Sequence, residues 1–73
     1  RVNVISPGVV LTDMTKEFMT SIGTEASSQM SESHPLGLGS PQDVSNLINF
    51  LISKNSKWIT GQNIVIDGGF SIN

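Results

Sequence analysis

The chain has 73 residues and a mass of 7.8 kDa, with no cysteine, no tyrosine, 37% hydrophobic residues and a net charge of -2. Without cysteine, disulfides, thiolate metal sites and a thiol nucleophile are excluded, and the basic residues Arg1, Lys16, Lys54 and Lys57 form no stripe suited to nucleic acid. Apolar runs such as 9–11 and 64–66 fall far short of the roughly 20 residues of a bilayer span, so no membrane partner is expected and a cytoplasmic setting is the default.

Val2-Asn3-Val4-Ile5 is rich in β-branched residues and is stopped by Ser6-Pro7-Gly8, which predicts a strand running into a turn. Residues 13–22 place Met14, Phe18 and Ile22 at i, i+4 and i+8 behind Thr12 or Asp13 as cap, the pattern of a short amphipathic helix. From Gly23 to Gly39 no period is sustained, Ser and Gly are frequent and Pro35 precedes further glycines, so a mobile connection is expected. Its length marks it as a candidate functional segment. Ser40-Pro41-Gln42-Asp43 combines an N-cap, a first-turn proline and an acid suited to the helix dipole. Val44, Leu47, Ile48, Leu51 and Ile52 then form an apolar stripe, and Lys54 lies near the expected end. Asn63-Ile64-Val65-Ile66-Asp67 reads as a second strand, apolar on both faces, ended by an Asp-Gly turn at Asp67-Gly68-Gly69.

Strand, helices, strand is the order of a βαβ unit, and strands apolar on both faces belong to parallel sheets covered on both sides. The expected class is therefore α/β. Two strands and one strong helix cover only one face of such a sheet, so other layers must come from further chain or from partner subunits. Charged residues at 14%, against about 25% in an average soluble domain, point the same way. Arg1 is followed at once by an apolar run, so a fragment is expected.

Three segments, RVNVISPGVVLTDM, HPLGLGSPQDVSNLINFLIS and WITGQNIVIDGG, together resemble the C-terminal third of the classical short-chain dehydrogenase/reductases, a group that includes β-ketoacyl-acyl-carrier-protein reductases and many alcohol and sugar dehydrogenases. The resemblance implies the C-terminal βαβ part of a doubly wound Rossmann sheet with a helical lid insertion. It divides the chain into strand and cofactor turn at 1–12, substrate lid at 13–39, helix at 40–55 and last strand with tail at 58–73. It implies NAD or NADP as cofactor and a small carbonyl or alcohol as substrate. Pro7 and Gly8 would turn the chain past the nicotinamide, the Val10 backbone would bond its carboxamide, and Thr12 would add a hydroxyl contact. The residues agree in kind, since ligands of open α/β sheets bind beyond the carboxyl ends of the strands and a glycine lets backbone approach a flat ring. As a turn and a cap alone, the same residues would be purely structural.

Met14 and Phe18 are candidates for the lid's substrate wall, with Met19 and Met30 as weaker ones, against ordinary helix packing. Trp58, Val65 and Phe70 would lie at a homo-oligomer interface by the same resemblance, although a lone Trp is more often core. His34, the sole histidine, has no second ligand at metal spacing, so neither a metal site nor a catalytic role is assigned to it. The family's TGxxxGxG motif cannot be assembled from these glycines, and its catalytic tyrosine with a following lysine is impossible in a chain without tyrosine. The stretch HPLGLG also lacks a basic residue that many relatives place between its glycines. These residues alone therefore lack the family's proton donor. The competing expectation is a non-catalytic module that buries its bare sheet by self-association.

Overall fold

Strand β1, Val4–Pro7, and strand β2, Asn63–Ile66, pair in parallel in the computed structural model, which describes residues 1–72. The register sets Val4 against Asn63, Ile5 against Ile64, Ser6 against Val65 and Pro7 against Ile66. Two further bonds extend the ladder: Val4 N–H donates to Gln62 C=O at 2.8 Å and Gly8 N–H to Ile66 C=O at 3.0 Å. β1 begins later than the pattern at 2–5 suggests, because the preceding residues are engaged with the loop before β2. Val2 N–H donates to the Thr60 hydroxyl at 3.1 Å, the Asn3 amide donates to Ile59 C=O at 3.2 Å, and Gln62 N–H donates to the Asn3 side-chain oxygen at 3.0 Å.

Helix α1, Asp13–Ile22, follows the expected bounds, with the Thr12 hydroxyl oxygen accepting from Thr15 N–H at 3.2 Å as N-cap. Helix α2, Thr24–Glu32, corrects the expectation of a connection without regular structure over 23–39. Only Ala26 and Met30 in it are apolar, so it carries no stripe for periodicity to find. It is held instead by its neighbour: Gly23, at φ 91°, joins the two helices, and Ser27 Oγ donates to Met19 C=O at 2.6 Å.

Helix α3, Pro41–Leu51, starts as expected, with the Asp43 carboxylate accepting from Ser40 N–H at 2.8 Å and from the Ser40 hydroxyl at 3.1 Å. It stops before the expected end near 55, because side chains take over its terminal carbonyls. The Ser53 hydroxyl donates to Phe50 C=O at 2.7 Å, the buried Ser56 hydroxyl donates to Leu51 C=O at 2.8 Å, and the Arg1 guanidinium reaches the same Leu51 C=O at 2.8 Å. A 3-10 turn, Lys54–Ser56, follows, and a second, Phe70–Ile72, ends the described chain. Of the expected stripe, Leu51 is buried, Val44 and Leu47 are half-buried, and Ile48 and Ile52 are exposed.

Leu51 is the buried large apolar residue among the described ones, while Met14, Ile72 and Trp58 stand largely in solvent. Trp58, 98% exposed, is thus no core residue. The radius of gyration is 14.3 Å, against about 11 Å for a compact chain of this length, and the longest extent is 44 Å. The elements form a thin slab with apolar surfaces left uncovered. Among the described residues no helix is long and apolar enough to cross a membrane.

Candidate functional site

The parallel strands end on one edge, so residues 8–12 and 67–70 leave β1 and β2 side by side. At Gly8 a Cβ would stand 2.8 Å from Asp67 Cβ and 2.9 Å from Asp67 Cα, so the close approach of the two turns requires glycine. A third segment joins them. Leu11 N–H donates to Gly39 C=O at 2.8 Å and Gly39 N–H donates to Val9 C=O at 3.0 Å, while Leu36 N–H donates to Gly68 C=O at 2.8 Å. Gly68, at φ 61°, would place a Cβ 2.9 Å from Gly37 O. Segments 8–11, 36–39 and 67–69 are therefore knit by backbone alone.

The bonds from Val9 C=O and Leu11 N–H both run to Gly39. Backbone groups alternate in direction along an extended chain, so the Val10 N–H and C=O point away from that pairing. Neither takes a backbone partner among the described residues.

Beside this loop lies a groove of about 600 Å³. It gathers Pro7, Gly8, Val10 and Thr12, the four residues expected to face a cofactor, with Met14 and Phe18, the two expected on a substrate wall, and with Met30 from α2. Met14 and Phe18 are exposed, presenting apolar surface to the groove rather than packing into a core. The Thr12 oxygen is occupied as the cap of α1 and lies 3.0 Å from the Thr15 hydroxyl.

On the other side of Pro7 and Gly8 is a cavity of about 640 Å³, bounded by His34, Val65, Asp67 and Phe70. The Asp67 carboxylate accepts from Gly69 N–H and Ser71 N–H, each at 3.0 Å, which fixes the turn after β2. Burial pushes its carboxyl upward, but the hydrogen bonds from Ser71 and Gly69, with His34 nearby, outweigh that and hold it below the ordinary value of 3.8. His34 is buried, its Nδ1 lies 2.9 Å from Met30 C=O, and its ring stacks on Phe70 with centroids 4.9 Å apart. Sequence reasoning passed over this contact. Its available signal was a lone histidine following Ser33, but the helix it caps was not anticipated. Among the described residues no cluster of three metal-ligating side chains occurs. Val65 and Phe70 share the His34 cavity and are about half exposed, whereas Trp58 stands apart from them on the loop before β2.

In fold the chain matches a short-chain type dehydrogenase/reductase from Mycobacterium ulcerans with a TM-score of 0.87 and 36% identity, covering 100% of this chain and 26% of that one. The profile of the family described as Enoyl-(Acyl carrier protein) reductase matches residues 1–71. The chain belongs to the short-chain dehydrogenase/reductase family. Its two-stranded sheet is accordingly a portion of that family's doubly wound, Rossmann-type parallel sheet. Among short-chain dehydrogenase/reductase relatives, an L-rhamnose 1-dehydrogenase (NAD(P)(+)) of Azotobacter vinelandii is 36% identical over 74 residues, covering 100% of this chain and 28% of the relative. A diacetyl reductase [(S)-acetoin forming] of Staphylococcus aureus is 38% identical over 76 residues, covering 93% of this chain and 30% of the relative. The chain thus spans less than a third of the length of these relatives.

Proposed function

We propose that these residues are part of an NAD(P)-dependent oxidoreductase that moves a hydride between nicotinamide and a carbonyl or secondary alcohol. In this reading they supply the nicotinamide contacts at 7–12, the substrate lid at 13–39 and, through Val65, Phe70 and Trp58, surface for a homo-oligomer. The observation that carries the reading is the groove at the carboxyl ends of the strands, where Pro7, Gly8, Val10, Thr12, Met14 and Phe18 meet. A relative whose name specifies NAD(P)(+) supports the cofactor class.

The residues fit a nicotinamide. Gly8 lets the turn after β1 pack against Asp67, and its backbone borders the groove beside Pro7 and Val10. The Val10 N–H and C=O offer one donor and one acceptor, which can pair with the carbonyl oxygen and one N–H of a carboxamide. NAD or NADP bound there would supply the hydride or receive it. Met14, Phe18 and Met30 give the groove an apolar wall on the side of α1 and α2, with Met14 and Phe18 offering exposed surface to an apolar part of the substrate. No side chain of this groove is a proton donor matched to a carbonyl, and the tyrosine that the resemblance assigns to that step is not in this sequence. Relatives whose names give L-rhamnose and diacetyl as substrates both match this stretch, which supports small carbonyls and alcohols as the class.

The test is nicotinamide absorbance in the full polypeptide carrying these residues, assayed with sugars, hydroxy acids and diketones in both directions. Turnover supports the reading; none across the whole panel in both directions overturns it. The exposed apolar surface also fits the non-catalytic alternative, in which copies associate through the bare sheet. Sedimentation giving a compact folded monomer at micromolar concentration would remove that alternative.

A further inference from the structure

α2 ends at Glu32 with no basic residue in its last turn and no glycine behind it, so its terminal carbonyls need other partners. Ser33 N–H donates to Gln29 C=O at 3.0 Å, and His34 N–H steps to Ser31 C=O at 3.2 Å. Met30 C=O is thereby left to side chains. Ser33 Oγ donates to it at 2.6 Å and His34 Nδ1 at 2.9 Å. A carbonyl only accepts, so in this contact Nδ1 carries the proton. Nε2 is buried without a partner among the described residues, and the contacts the ring makes are through Nδ1–H and its face.

That face stacks on Phe70 at 4.9 Å and 21°. The neighbouring backbone continues the attachment. Leu36 N–H bonds Gly68 C=O, and Pro35 lies so close to Gly69 that a Cβ there would meet the proline ring at 3.1 Å. Met30, whose carbonyl His34 holds, borders both the groove at Pro7–Phe18 and the cavity at His34.

We propose that His34 is a positioning residue that couples the end of α2 to the turn after β2 through Met30 and Phe70, and so sets the substrate-side wall of the groove without touching substrate. The inference rests on the reading of α1 and α2 as a substrate lid. It separates two arms of one side chain: the Nδ1–H fixes the helix end, and the ring face fixes the tail. H34N offers an amide N–H in place of Nδ1–H but no ring, whereas H34F keeps a ring face and loses the donor.

The test is hydrogen exchange together with steady-state kinetics on the full polypeptide. H34A is expected to speed exchange over 24–32 by about tenfold and leave 41–51 unchanged, with H34N restoring most of the protection and H34F little of it. In turnover, H34A is expected to raise the substrate KM by about tenfold, with kcat within about threefold and the nicotinamide KM within about twofold. Unchanged exchange over 24–32, an equal rise over 41–51, or a parallel rise in the nicotinamide KM overturns the proposal. If the unsubstituted protein shows no nicotinamide turnover, the oxidoreductase reading falls, and the exchange pattern by itself upholds or overturns the coupling.

Discussion

Replacing Gly8 by alanine tests the geometry on which the candidate site depends. The added methyl would sit 2.8 Å from Asp67 Cβ and 2.9 Å from Asp67 Cα. Carbon atoms in contact prefer about 3.5–4.0 Å, so the two turns must separate by about 0.7 Å or more. Asp67 cannot swing aside, because the clashing atoms lie at its backbone and its carboxylate is tied to Gly69 and Ser71. The strain therefore falls on the end of the ladder, where Gly8 N–H bonds Ile66 C=O at 3.0 Å. Overpacking of this kind costs about 1–3 kcal/mol. A displacement approaching 1 Å at the neighbouring Val10 would also weaken nicotinamide-dependent turnover by up to about 100-fold. Gly39 is the control: a Cβ there meets atoms at 3.6, 3.7 and 3.8 Å, ordinary contact distances, and its φ lies outside the left-handed region. G39A is expected to stay within about 0.5 kcal/mol of the unsubstituted protein. Urea unfolding midpoints and a nicotinamide titration on both variants decide the matter. A G8A protein as stable and as active as G39A would refute the close-approach argument.

T12A is expected to cost about 1 kcal/mol through loss of the α1 cap, with T12S close to the unsubstituted protein; equal losses for both in urea unfolding would show that the hydroxyl does not cap. M14A and F18A change exposed side chains, so stability should move by less than about 0.5 kcal/mol while the substrate KM rises, and a stability loss without a KM change would make them packing residues. Asp67 carries a lowered carboxyl pKa, so its contribution to stability is fully present above the ordinary 3.8 and is lost as pH falls through the lowered value. D67N should therefore be less stable than the unsubstituted protein near neutrality and lose less on acidification, and parallel unfolding curves for the two proteins across that acid range would contradict the assignment.

Where the physics is local, the sequence was readable. The cap at Ser40 with Asp43 three residues on, the cap at Thr12, and the strand at Asn63 to Ile66 each depend on neighbours within a few positions. The start of β1 was not readable, because the side chain of Asn3 and the backbone of Val2 bond residues 59–61 far along the chain. α2 escaped notice because its support comes from Ser27 reaching across to Met19 and from His34 closing its end, neither of which leaves a periodic mark. The groove followed from the resemblance together with the rule for strand ends. The close contact of Gly8 with Asp67, and the pairing with Gly39 that orients Val10, could only come from segments distant in sequence meeting in space.

The pairing of Val10 with Gly39 has a consequence for how such a chain diversifies. It brings together the chain entering α1 and the chain leaving α2, and the end of α2 is held a second time through His34 on Phe70 and Leu36 on Gly68. Lengthening a loop whose stems are already joined adds only a slowly growing closure entropy, roughly 0.6 kcal/mol per doubling of length. Changes of length at the joint around Gly23, where nothing packs within 4 Å of a Cβ, thus leave the strand register and the turn at Gly8 untouched. The joint of the two helices is therefore where length can vary at least cost to the scaffold.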